Sequence, residues 1–187
     1  MAVAAKPARG LGPLSDIGLG RIGAIAALVL TALTVQSTLL AQATLLGVIP
    51  QLVLVVVVAL AYLDGERVGV VSGFAGGLLQ DLLLPQSVIG LTALVYVMVA
   101  YAVGVLRQYS TSQAVWAPVI AVALATAAAE AGYAVLAIVL GQRWVGLAFT
   151  AKVVALVILY NTLLTPFVFP LVRRIADRFR PERVYRW

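Results

Sequence analysis

Apolar residues run along most of this chain in long blocks, and short polar clusters separate them. No charged residue occurs from position 22 to position 63. That stretch is about twice the 17–25 residues that one helix needs to cross a bilayer core. Gln42, Gly47 and Pro50 interrupt it. The pattern predicts a helix over 22–41 and a second over 48–63. Pro50 falls in the first turn of the second, where a missing N–H breaks no helical bond. Asp64-Gly65-Glu66-Arg67 reads as a polar turn, and a short third helix follows over 68–84. Pro85-Gln86-Ser87 turns the chain into a fourth helix over 88–106. A polar loop over 107–113 leads to a fifth over 114–140, and Gly141-Gln142-Arg143 to a sixth over 145–172. Pro166 cannot donate a backbone bond and its ring crowds the carbonyl of Thr162, which predicts a bend.

The expected architecture is therefore all-α, an integral membrane bundle of six transmembrane helices. Residues 1–21 read as a flexible cytoplasmic tail, 22–172 as the transmembrane domain and 173–187 as a basic amphipathic cytoplasmic tail. Composition supports this. Hydrophobic residues are 63% of the chain and charged residues 11%, against roughly 45–50% and 25% in soluble domains. A chain of 187 residues cannot hide that much apolar surface from water. The net charge of +6 is no nucleic-acid footprint, because the basic residues stand at the ends of apolar blocks. Cysteine and histidine are both absent. That excludes disulfides, thiol nucleophiles, histidine bases and Cys or His metal sites. No cofactor is expected, and enzymatic activity is the weakest class.

Ala41-Gln42-Ala43 resembles a signal-peptidase site. The apolar run before it is about 20 residues, against roughly 7–15 for a cleavable segment, so the first helix is read as retained. With both termini inside, the cytoplasmic segments carry Lys6, Arg9, Arg21, Arg67, Arg107, Arg173, Arg174, Arg178, Arg180, Arg183 and Arg186. Only Arg143 and Lys152 fall on the outer side. Such asymmetry orients the chain with its basic ends inward.

Several intramembrane positions stand out. Gly69, Gly73 and Gly77 recur four apart on the third helix, with Gly76 beside them. Small residues at that spacing let another helix approach closely. Asp81 follows on the same side. It either caps or anchors the helix at the outer interface, as a surface carboxylate of little structural weight, or makes a functional contact. Glu130 and Lys152 lie at similar depth on adjacent antiparallel helices, which suits an intramembrane ion pair. A relay, a contact with a partner helix and a protonated Glu130 are the other readings. Asn161 lies about half-way round its helix from Lys152, so one of the two addresses a groove or a partner. In the tail, Leu171, Val172, Ile175, Ala176 and Phe179 form an apolar face. Arg173, Arg174, Arg178 and Arg180 lie around the other. This is a surface anchor on anionic lipid or a docking site for a cytoplasmic protein.

The run Gly73-Phe74-Ala75-Gly76-Gly77-Leu78-Leu79-Gln80-Asp81, then Gly90-Leu91-Thr92-Ala93-Leu94 and Tyr101, resembles the core of the MreD family. Gln36-Ser37 in the first helix, Pro50 and the chain length agree with it. The resemblance covers about 22–172 and implies a multi-pass protein of the bacterial inner membrane. It implies a non-enzymatic scaffold or regulator of peptidoglycan elongation and rod shape. The partner would be a single-pass MreC-like protein, within a system that includes RodA, a class B penicillin-binding protein and the MreB filament. Gly69, Gly73, Phe74, Gly77 and Asp81 become expected partner-binding positions. The family is also similar to the six-helix substrate-binding subunits of energy-coupling-factor vitamin transporters, which supplies the alternative function. Those subunits carry an Ala-x-x-x-Ala motif in helix one, where this chain offers only Ala27 and Thr31 at that spacing.

Overall fold

A computed structural model of the chain describes residues 19–40, 42, 47–83, 88–109, 116–141 and 147–179. The N-terminal tail before 19, the Ala41 and Ala43 positions, the Pro85–Ser87 turn, most of the polar loop after helix four, Arg143, Arg180 and the segment beyond it lie outside the described residues.

Six α-helices follow one another: α1 Leu19–Val35, α2 Leu52–Asp64, α3 Glu66–Leu83, α4 Leu91–Tyr109, α5 Ala117–Val139 and α6 Leu147–Arg178. The described residues contain no strand. A π-helical turn, Gln36–Leu40, continues α1. Among the described residues, four helices are long and apolar enough to cross a membrane: α1 with its π turn, α4, α5 and α6. The other two, α2 and α3, are not among them, against the expectation of six transmembrane helices. The glycines and polar residues of α3 lower its hydropathy. α2 has 13 residues, about 20 Å of helix, too short for a core of about 30 Å.

The short helix is the centre of the molecule. α2 packs against each of the other five helices, and every residue from Val53 to Ala61 is buried. Its sequence, LVLVVVVALAYLD, has no polar face, which is the signature of a helix enclosed on all sides. The predicted start at 48 is corrected to Leu52. Pro50 lies before the helix, buried, and Gln51 is the N-cap with φ −93° and ψ 74°.

α3 lies against both α2 and α4. A Cβ on Gly69 would come 2.5 Å from Ala61 Cβ, one on Gly73 3.0 Å from the Tyr96 carbonyl oxygen, and one on Gly77 2.5 Å from Ala93 Cα. Gly104 of α4 meets the Glu66 backbone in the same way. The glycine stripe thus joins α3 to its neighbours within the chain.

α6 continues without interruption through Pro166 and Pro170 to Arg178, so the first residues of the amphipathic tail, 173–178, belong to α6. Val172 and Ala176 are buried, whereas Leu171 and Phe179 are exposed. Arg173, Arg174 and Arg178 are exposed around them. The Phe179 ring lies within 3.7 Å of where a Gly20 Cβ would stand, so the start of α1 and the end of α6 share one end of the bundle. At that end Arg21 of α1 pairs with Asp64 of α2 at 2.9 Å. The Arg107 guanidinium lies 4.8 Å above the Tyr62 ring, within cation–π range.

Candidate functional site

Because α2 is short, its first turn opens inside the bundle rather than at a membrane surface. The first amides of any helix lack intrahelical acceptors, and in an apolar interior each unsatisfied group is costly. Two side chains from other elements supply the acceptors. The Gln51 N–H donates to Asn161 Oδ1 at 3.0 Å, and the Val53 N–H donates to Gln36 Oε1 at 3.0 Å. Asn161 in turn donates through Nδ2 to Thr126 Oγ1 at 3.1 Å and accepts at its carbonyl from Thr165 Oγ1 at 2.7 Å. Asn161 is fully buried. Of the two residues expected to face different ways, Asn161 is the one turned inward, where it clamps α2 to α5 and α6, and Lys152 is the exposed one. Asn161 and Thr126 lie near the middles of α6 and α5, so α2 begins at about mid-depth.

Beyond that point the helix no longer fills the bundle. A partly open cavity of about 190 Å³ lies there, lined by Gln51, Gln80, Thr92, Val95, Tyr96, Ala129, Glu130 and Tyr133. Gln51 Nε2 donates to Glu130 Oε1. The Tyr96 hydroxyl lies 3.2 Å from Gln80 Oε1 and 3.4 Å from Gln51 Oε1, and its single proton serves one of them.

Asp81 stands at the same end of the bundle, 2% exposed. Its Oδ2 accepts from the N–H groups of Gly90, Thr92 and Ala93 at 2.9, 3.0 and 3.4 Å. The carboxylate from α3 thus caps α4, where the helix dipole favours negative charge. Asp81 is thus buried rather than at the surface, and the capping reading holds for the neighbouring helix rather than for its own.

The remaining sequence candidates fall as follows. Gly69, Gly73 and Gly77 are internal, whereas Phe74 on the opposite face of α3 is 55% exposed. The Glu130–Lys152 ion pair does not form. Glu130 points to Gln51 in the interior, whereas Lys152 is exposed on α6. Equal depth on adjacent helices is necessary for pairing, and the two helical phases diverge. Arg173 is within 3.7 Å of Asp177 on its own helix. Sequence reasoning overlooked Gln51, Tyr96, Thr126 and Tyr133. Gln51 carried a signal, as an isolated amide inside an apolar block. The two tyrosines carried none, because a tyrosine in a membrane helix is ordinary.

Among the described residues, no group of three or more acidic, Cys or His side chains is placed to hold a metal. The model of one family, described as rod shape-determining protein MreD, matches residues 19–175. No curated protein and no solved structure matches.

Proposed function

The chain belongs to the MreD family of rod shape-determining proteins, and we propose that it serves rod-shape determination as a non-enzymatic scaffold in the bacterial inner membrane. In this reading it holds a single-pass MreC-like partner and so regulates peptidoglycan elongation by the RodA and penicillin-binding protein pair. All six helices are embedded and both termini are cytoplasmic. The family match over most of the chain supports the role, and the basic bias of the tails supports the orientation.

The face of α3 opposite the glycines supports a place for the partner. Phe74 and Val71 are both exposed there, and the glycine stripe behind them holds that face rigid. A partner helix would rest on Phe74. Gly69, Gly73, Gly77 and Asp81 would act by keeping α3 and α4 in register rather than by touching the partner. Arg173, Arg174 and Arg178 would lie against anionic lipid at the inner surface.

Co-purification with the MreC-like partner in mild detergent tests this. Phe74→Ala removes an exposed ring and should leave the chain monodisperse while lowering partner recovery. Leu124→Ala, on the exposed side of α5, should leave recovery unchanged. Full recovery with Phe74→Ala and a normal cell shape would remove α3 from the partner surface.

A further inference from the structure

The cavity beyond α2 is unlike the rest of the interior. Its lining includes a carboxylate, two carboxamides, a threonine hydroxyl and two phenols, with Val95 and Ala129 completing the wall. Glu130 is the one formally charged residue of that lining. Neither it nor Lys152 takes part in an ion pair among the described residues. Gln51 satisfies one carboxylate oxygen. The other has no protein donor among the described residues, and neither does the Tyr133 hydroxyl find an acceptor there. A carboxylate held in an apolar bundle calls for a positive charge beside it, and this chain places none in the cavity.

We propose that this cavity binds a small primary-ammonium group, carried either by a free amine or by the headgroup of an aminolipid. The three ammonium protons match the acceptors present. Glu130 Oε2 takes one in a charge-assisted bond. The carboxamide oxygens of Gln51 and Gln80 and the Thr92 hydroxyl oxygen stand on the same lining for the others. The Tyr96 and Tyr133 rings add π faces of the kind that attract cations. The volume suits a short alkylammonium. The bundle positions these groups without the occupant, because Asn161 and Gln36 fix the start of α2 and Asp81 fixes the start of α4. This assignment is independent of the partner surface on α3.

The test uses the full chain in lipid nanodiscs. In discs of phosphatidylcholine and phosphatidylglycerol, ethanolamine is titrated and thermal unfolding is followed by intrinsic fluorescence. In a second arm, discs containing phosphatidylethanolamine are analysed by native mass spectrometry for retained lipid. Stabilisation by ethanolamine with no retained phosphatidylethanolamine identifies a free-amine site. Preferential retention of phosphatidylethanolamine over phosphatidylcholine identifies an aminolipid site. In either case Glu130→Gln, whose amide oxygen can still accept from Gln51, should weaken binding on the order of tenfold, the worth of one hydrogen bond to a charged group. Tyr133→Leu leaves the Gln51–Glu130 bond untouched and should weaken binding severalfold, so it carries the test should Glu130→Gln fold poorly. No stabilisation and no retention in the wild type would overturn the assignment. So would undiminished binding by both variants.

Discussion

At the scale of single residues, membrane burial magnifies small polar differences. Asp81 holds three amides of the α4 start with one oxygen. Asp81→Ala should lower stability by about 1–2 kcal/mol, the usual cost of a lost N-cap. Asp81→Asn, which keeps an acceptor, should lose less, and unfolding in detergent micelles would measure both. Gly77 stands where a methyl group would meet Ala93 backbone at 2.5 Å. Gly77→Ala must push α3 from α4 and should cost about 1–3 kcal/mol. Gly23→Ala, inside α1 with nothing within 4 Å of the new Cβ, should cost nothing and can stabilise by up to about 1 kcal/mol on the same assay. Lys152→Ala should change stability by no more than about 0.5 kcal/mol, since Lys152 is exposed and unpaired among the described residues. A Glu130–Lys152 charge swap should give no rescue over the worse single variant.

At the scale of elements, α2 shows how a helix too short to span can still organise a bundle. Its apolar side chains bury against five neighbours, and its first amides, which lack intrahelical acceptors, are met by Gln36 from the α1 end and Asn161 from α6. Asn161→Ala should leave the Gln51 amide buried without an acceptor, at a cost of about 1–3 kcal/mol. Hydrogen exchange should then speed up at Gln51 and Val53 before it does in the second half of α2. If the first turn of α2 exchanges no faster than in the wild type, the clamp does not hold it. At its other end, the Arg21–Asp64 pair ties α2 to α1. α2 is thereby fixed at both ends by groups from other helices.

At the scale of the whole molecule, the ends of α1 and α6 meet through Gly20 and Phe179, and the arginines gather there. Both termini should therefore be cytoplasmic. The chain has no cysteine, so single cysteines placed at either terminus report topology without background. Both should resist an impermeant maleimide in intact cells and react once the membrane is opened. Reaction of either terminus in intact cells would reverse the orientation.

The sequence by itself determined the helical class, the succession of six helices and the family. Long uncharged blocks in a lipid solvent have few alternatives to helix, because backbone groups must bond within the segment. It also marked Gly69, Gly73, Gly77, Asp81, Glu130 and Asn161 as residues unlike their surroundings. Only the tertiary structure decided what those residues face. A spacing of four places glycines on one stripe but does not say whether the opposing helix belongs to this chain. Equal depth did not pair Glu130 with Lys152, because pairing also needs matching rotation about two helix axes. Periodicity could not show that α2 starts at mid-depth, since a central helix and a lipid-facing one are equally apolar. The cavity follows from that start, assembled from Gln51, Gln80, Tyr96, Glu130 and Tyr133 on four separate helices or their caps. Only packing in three dimensions brings such distant positions together.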